Sequence, residues 1–245
     1  MPSPPPLKLD WCSFEAARTA CERWHYSRCS PTGKTVKIGV WEAGVFKGAV
    51  IFGLGSNQFL GKAFGLTMFQ CCELCRVALD KHATPVSRII AIAVKMLRKQ
   101  SPGVRLIVSY ADCDQNHHGG IYMAGNWVYA GRVQDGGGTP KYRVLGKVMH
   151  GRSVHARWGR GAQQIDWLRK NVDPRAEKVF TRGKHKYLMP LDGEMRTLVE
   201  RHRQPYPTRA GSADAARPPI QAGGGGAIPT PALSEAPTNH PDQLA

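Results

Sequence analysis

The stretch TPVSRIIAIAVKMLRKQSPGVRLIVSYAD, residues 84–112, decides the fold. Thr84 stands where a helix N-cap belongs and Pro85 at the first helical position, while Val86, Ile89, Ile90, Ala93 and Leu97 recur at helical spacing. Ser101-Pro102-Gly103 stops that helix, and VRLIVSY returns as an apolar run of strand length. CCELCRVAL at 71–79 reads as another strand. A strand, a helix and a strand with short joints predict two parallel neighbours with the helix on one face. The polar cluster ADCDQNHHGG, residues 111–120, then hangs from the carboxyl end of the second strand, where such sheets collect ligands.

Working outward, SFEAARTACERW places Phe14, Ala17, Cys21 and Trp24 on one helical face behind a Ser13 cap. KTVKIGVWE and VFKGAVIFGLG alternate about Glu42-Ala43-Gly44 and predict a β-hairpin. GGIYMAGNWVYAGR predicts a short helix ended by Gly125, then a strand from Trp127. This order of elements resembles the GNAT acyltransferase fold, and Ile-Tyr-x-x-Gly-x-Trp-x-x-x-Gly at 121–131 is similar to the stretch that ends many GNAT cores. The expected class is therefore α+β, a GNAT-like mixed central sheet flanked by helices. In GNAT enzymes the turn before the long helix offers glycine-rich amides to the pyrophosphate of coenzyme A. Here that turn is LDKHATPVSR, without glycine and with Pro85 removing an amide. Thr84, Ser87 and Arg88 are the candidates left to hold a cofactor there, and ordinary coenzyme A binding is not expected.

Charge points to a polyanionic partner. The 245 residues carry 34 Lys and Arg against 18 Asp and Glu, a formal net of +16. Residues 203–245 turn to Pro, Ala, Gly, Thr and Ser and are expected to be a disordered tail. They hold Arg203, Arg209 and Arg217 against Asp214, Glu235 and Asp242, so the whole +16 falls on an expected single domain, 1–202. Within it, residues 141–186 contain thirteen Lys and Arg against Asp166, Asp173 and Glu177, a local +10, with Tyr142, Trp158, Trp167 and Phe180 interleaved and Tyr187 next in line. Cations with aromatics suit phosphates and stacked bases, which makes Lys141, Arg143, Arg152, Arg157, Arg160, Lys184 and Lys186 DNA-binding candidates. The competing account, a solvated face above ordinary core aromatics, explains the aromatics but not so lopsided a sign. MPSPPPLKLD has no apolar run to act as a signal peptide, and IIAIAV at 89–94 is far shorter than the roughly 20 residues that span a bilayer. An intracellular protein with its seven cysteines reduced is expected.

Several residues could carry chemistry. Asp112, just past Tyr110, can accept a proton, bind a metal or hydrogen-bond an amine, and Asp114 is the alternative further into the loop. Arg76 on a strand is costly unless paired or facing a polar cavity, so an ion pair with Glu73 and a substrate clamp stand at nearly even odds. His25-Tyr26 closes the first helix, where an aromatic staple competes with a functional role. Tyr122 in the short helix faces the same strand edge, unless it only packs on the sheet. His117-His118 is a weak pair alone. Cys72-x-x-Cys75 lacks the second pair that a zinc knuckle needs, so buried thiols are expected. No phosphate-binding loop, Gly-x-Ser-x-Gly elbow or zinc deaminase His-x-Glu signature is present.

Taken together, CSFEAARTACERWHYSR, KTVKIGVWEAGVFKGAVIFG, CELCRVAL, TPVSRIIAIAVKMLRKQSPGVRLIVSYAD, HHGGIYMAGNWVYAGR, MHGRS and HKYLMPLD resemble the Mom family of DNA modification proteins over about residues 7–200. That resemblance implies an enzyme that converts adenine in double-stranded DNA to a form with a carbamoylmethyl group on its exocyclic amine. Such a modification shields phage DNA from host restriction in the bacterial cytoplasm. It implies iron, and acetyl coenzyme A or another small carbon donor, as cofactors. By the same resemblance His25, Tyr26, Arg76, Asp112 and Tyr122 are the catalytic set. Tyr26 and Asp112, with His25 or Tyr122, would hold the iron, Arg76 would orient the donor, and His117-His118 are second-line ligands. A homodimer is compatible with the family. The competing readings are a GNAT-type N-acetyltransferase using acetyl coenzyme A and a DNA-binding protein without catalysis.

Overall fold

The computed structural model describes residues 4–55, 57, 59–133 and 140–207. Residues 208–245 of the expected tail lie outside the described residues. Residues 203–207 lie against the core. The Gln204 N–H donates to the Tyr129 carbonyl at 2.9 Å, and the Tyr206 hydroxyl donates to the Trp127 carbonyl. The packed chain therefore runs past residue 202.

The first half holds β1 (Leu7–Trp11), α1 (Phe14–Trp24), β2 (Thr35–Glu42), β3 (Val45–Gly53), β4 (Cys71–Leu79), α2 (Val86–Gln100) and β5 (Leu106–Asp112). Then follow α3 (Gly120–Met123), β6 (Val128–Arg132), β7 (Lys141–Val144), β8 (Lys147–His150), α4 (Gly151–Trp158) and α5 (Ile165–Asn171). The chain continues through β9 (Glu177–Val179), β10 (Lys184–Pro190) and α6 (Gly193–Glu200). Seven strands form one sheet in the order β1-β2-β3-β4-β5-β10-β6. Its neighbours are antiparallel except β4 and β5. The parallel pair and the helix between its strands are those read from residues 71–112. β1 and β10 extend the sheet beyond the elements predicted from sequence.

Each face of the sheet has its own cover. α2 buries Ile89, Ile90, Ala93, Val94 and Leu97 against Ile38, Val40, Phe52 and Ile107. At ~2 kcal/mol for each fully buried large aliphatic side chain, that stripe is the main apolar anchor of the helix. α1 covers β3 and β4 on the other face through Ala17, Ala20 and Cys21. Ser13 caps α1 as expected, its hydroxyl accepting from Ala16 N–H at 3.1 Å. Phe14, expected on the buried stripe, is instead 52% exposed, because the first turn of α1 lies beyond the sheet it packs on.

The hairpin turn fits its residues. Ala43 and Gly44 both have positive φ, 49° and 79°, the backbone that a two-residue hairpin loop requires. Glu42 then reaches from the end of β2 to the turn before α2. Its carboxylate accepts Ala83 N–H at 2.8 Å and Thr84 N–H at 2.7 Å. The Thr84 hydroxyl, these two amides and His82 together hold its pKa below the usual carboxylate value against the opposing cost of burial. This corrects the expectation that Thr84 caps α2: Pro85 is the residue at the cap, with no side-chain hydrogen bond, and Thr84 is occupied with Glu42. Glu42→Gln keeps the shape and removes the charge. It should lower unfolding free energy by about 2 kcal/mol, the scale of a charge-assisted hydrogen-bond set, measured by urea denaturation.

Residues 141–179 build a smaller lobe. β8-β7-β9 form a separate three-stranded sheet. Tyr142, Val144, Val154, Ala162, Leu168 and Ala176 pack as a core of their own beneath α4 and α5. The lobe leaves the main sheet after β6 and returns to it as β10. Lys184 and Lys186, expected to belong to the same basic region, therefore lie on the main sheet.

Candidate active site

The β4–β5 ladder is short. It pairs Cys71 with Leu106, Cys72 with Ile107 and Glu73 with Val108, and pairing ends there. Just beyond, Ser109 Oγ lies 3.0 Å from the Leu74 carbonyl and 2.8 Å from the Tyr122 hydroxyl. With one proton to give, Ser109 donates to the carbonyl and accepts from Tyr122. A bulge follows on β4: Leu74 pairs with Phe52 and Arg76 with Ile51, leaving Cys75 as the extra residue. The bulge reverses the alternation of β4. Cys72 and Leu74 face the α2 side, Val77 resumes that side, and Arg76 turns toward the segment that follows α1.

Arg76 braces that segment. Its Nε donates to the Cys29 carbonyl at 3.2 Å and its Nη1 to the Cys75 carbonyl at 2.7 Å. His25, at the C-cap of α1, is 9% exposed and stacks beside Tyr26, ring centroids 4.3 Å apart. The Ser27 N–H donates to His25 Nδ1 at 3.1 Å, with Ser27 Oγ 2.7 Å from the same nitrogen. Nδ1 is thus an acceptor, and the ring proton belongs on Nε2. Burial first, then the Arg76 and His117 charges, push the His25 pKa down to about 3, so the imidazole is neutral at working pH. The sign for stability follows. The unfolded chain binds this proton below about pH 6.5 and the folded chain does not, so stability is lost as pH falls from about 6.5 toward 3. Between pH 7 and 5 the loss due to His25 should be about 2 kcal/mol. Denaturation of chelator-treated protein should show it, with a correspondingly shallower pH slope in His25→Asn.

Tyr26 meets the polar cluster after β5. Its ring lies edge-on to His117, centroids 5.4 Å apart. Desolvation of its hydroxyl, then the Asp112 carboxylate, push its pKa above the usual phenol range, although 41% of the residue is exposed. Asp112 ends β5 at 6% exposure and caps the turn that follows, accepting from Asp114 N–H at 3.0 Å. Its charge also reaches His117, whose pKa burial lowers. The loop is fixed from below. The Tyr187 hydroxyl donates to the His118 carbonyl, and Gly119 (φ 83°) lies so close to the Tyr187 ring that a Cβ would stand 2.3 Å from it.

The structure thus brings His25, Tyr26, Arg76 and Asp112 to one place, with His117 beside them. Tyr122 reaches it from within: at 6% exposure, packed on Trp127 and Tyr187, its hydroxyl supports the wedge between β4 and β5. Asp114, the alternative to Asp112, is engaged elsewhere, with Lys141 Nζ at 2.8 Å and the Arg182 N–H at 2.8 Å. The bulge turns Glu73 and Arg76 toward the same face of β4, and Arg76 spends its Nε and Nη1 donors on the Cys29 and Cys75 carbonyls. Cys72 is buried and all seven cysteines are free. Among the described residues no three His, Cys, Asp or Glu side chains could hold a metal ion between them. Tyr26 is the further oxygen ligand that this neighbourhood offers.

The other candidates differ in exposure and in the partners they contact. Ser87 is half-buried and Arg88 exposed at the head of α2, while the adjoining amides of Ala83 and Thr84 are filled by Glu42. Arg152, Arg157 and Lys184 are exposed, with Arg157 over the Trp158 ring at 5.0 Å. Lys141 is bound to Asp114, Arg143 to Glu177 at 2.6 Å, and half-buried Lys186 lies over Phe64 at 5.7 Å. The side chain of Arg160 lies outside the described residues. Of the interleaved aromatics, Tyr142 and Tyr187 are core, and Phe180 is exposed. Ser27, Ser109 and the Glu42 clasp were missed from sequence; each acts through a contact distant in chain or too generic in type to carry a pattern.

No helix among the described residues is long and apolar enough to cross a membrane. The family model described as the Mom protein family matches residues 6–208. A protein of Escherichia phage Mu, methylcarbamoylase mom, is 26% identical over 208 residues, 82% of this chain and 83% of that protein.

Proposed function

Because this chain belongs to the Mom protein family, we propose that it is a DNA modification enzyme that adds a carbamoylmethyl group to the exocyclic amine of adenine in double-stranded DNA. The observation that carries this reading is the meeting of neutral His25, Tyr26, Arg76 and Asp112 where the β4–β5 ladder ends. The adjoining basic lobe supplies a surface for phosphates. The core is read as GNAT-like on the order of its elements and its single parallel strand pair.

The chemistry follows from what each group can do. The adenine amine is a poor nucleophile because its lone pair is delocalised into the ring; as the new N–C bond forms, the amine must lose a proton and the donor's bond from that carbon to its leaving group must break, the electron pair departing with the leaving group. Asp112 is the group proposed to hydrogen-bond that amine and take the proton. His25 offers Nε2–H to a carbonyl oxygen of the donor, with Ser27 fixing the tautomer. Arg76 holds the His25–Cys29 segment in place and has further N–H groups for an anionic or carbonyl part of the donor. The donor set fits iron through Tyr26 and Asp112 with His25, and iron would supply activation of the carbon donor. A bond from His25 Nε2 to iron would put the ring proton on Nδ1, where Ser27 Oγ would accept it at the cost of the Ser27 N–H bond. The Glu42 clasp favours a donor bound without the usual pyrophosphate loop, and weighs against a plain acetyl coenzyme A transferase.

Mass spectrometry of nucleosides from plasmid DNA of cells expressing the protein tests the proposal. A deoxyadenosine heavier by a carbamoylmethyl group is expected. Unmodified adenine, with expression and DNA binding confirmed, would overturn the reading in favour of a non-catalytic DNA-binding protein. Such an enzyme acts in the cytoplasm of a bacterial host.

A further inference from the structure

Phe180 is 56% exposed at the start of the crossing that joins β9 of the lobe to β10 of the main sheet. That crossing is pinned to the candidate active site. The Arg182 N–H donates to Asp114 Oδ1 at 2.8 Å and Arg182 Nη2 to Asn116 Oδ1 at 3.0 Å. The Cys113 N–H donates to the Gly183 carbonyl at 3.3 Å. Two residues of chain span at most about 7 Å, so Phe180 stands close to the loop that begins at Asp112. Exposed Lys178 and Lys184 flank it. A large ring in solvent, with a lysine two residues before it and another four residues after it and close to a catalytic loop, contributes little to the fold.

Its surroundings say what would cover it. Cations on both sides suit phosphates, and an aromatic ring between them suits the base stack within the same duplex. Resting on the function proposed above, we propose that Phe180 inserts into double-stranded DNA at the target adenine and fills the space the adenine leaves when it turns out toward Asp112. An adenine amine inside a duplex is out of reach of any side chain, and apolar wedges are the usual means of opening a base step. Phe180 is thus a positioning residue, which holds the gap while other groups act on the base.

The test uses purified full-length protein and duplex oligonucleotides in which 2-aminopurine, whose fluorescence rises on unstacking, replaces adenine. Wild type is expected to raise the signal about threefold or more, and Phe180→Ala to lose most of that rise while duplex affinity stays within about threefold. Phe180→Trp should restore it. In cells, Phe180→Ala should lower adenine modification about tenfold or more. Phe69→Ala is the control: Phe69 is 68% exposed but precedes β4 where β5 begins, about 20 Å along the sheet from Asp112, and its loss should change nothing. If Phe180→Ala matches wild type in fluorescence, or if wild type modifies DNA without any rise, the wedge assignment falls and the enzyme reading stands. If wild type neither binds duplex nor modifies cellular DNA, the enzyme reading falls and the wedge with it.

Discussion

Asp112→Asn should lower adenine modification by about a thousandfold, the scale of a lost general base, while duplex affinity and thermal stability stay near wild type. The substitution is nearly isosteric. An asparagine carbonyl can still accept the Asp114 N–H that Asp112 now accepts at 3.0 Å, so the turn after β5 keeps its cap. What disappears is the negative charge that Tyr26 and His117 both sense. Nucleoside mass spectrometry gives the activity, and a melt gives the control. Full modification by a folded Asp112→Asn protein would remove Asp112 from the chemistry.

Asp114→Ala is expected to act on structure, at about 3–5 kcal/mol, because it leaves two largely buried cations without their carboxylate. The Asp114 side chain is 6% exposed, with Lys141 at 24% and Arg182 at 14%. These three groups join the lobe to the loop that carries Asp112, so the variant should loosen the lobe before the main sheet. In urea, fluorescence of Trp158 and Trp167 in the lobe should change earlier than the far-ultraviolet signal of the whole protein. Adding Lys141→Met to Asp114→Ala should recover part of the loss, since one stranded cation is removed. A lone Asp114→Ala that melts like wild type would show the cluster to be dispensable.

The sequence was most legible where structure is local. The stripe of α2, its stop at Ser101, the positive-φ turn at Ala43-Gly44 and the Ser13 cap are decided within a few residues, and all stand in the fold. β10 was missed because nothing within HKYLMPL says that its partners are Ser109 and Tyr129, which lie far back in the chain. The Thr84 cap failed for a related reason: a carboxylate 42 residues away takes the Thr84 N–H and hydroxyl, so that side chain is not turned to the first amides of α2. The candidate site divides similarly. His25, Tyr26, Arg76 and Asp112 could be named from residue type and from the element each one ends or lies on. That Arg76 faces the others depends on the Cys75 bulge, which no pattern of types announces. Net charge identified a basic segment but could not say which cations are held by Asp114 and Glu177 inside it.

The way the lobe is attached has a consequence beyond its own packing. β6 leaves the sheet beside the strand by which the chain returns: His185 pairs with Arg132, and the Val133 N–H donates to the Lys184 carbonyl at 2.8 Å. Everything between is an insertion into what would otherwise be a plain β-hairpin. The entropy of closing a loop grows only slowly with its length, so such an insertion can be lengthened, trimmed or exchanged without reordering any strand of the main sheet. On the proposed function, selection for which DNA is gripped and selection for what is done to it can then work on separate stretches of one gene. The contacts of Asp114 with Lys141 and Arg182 are a junction that both must respect.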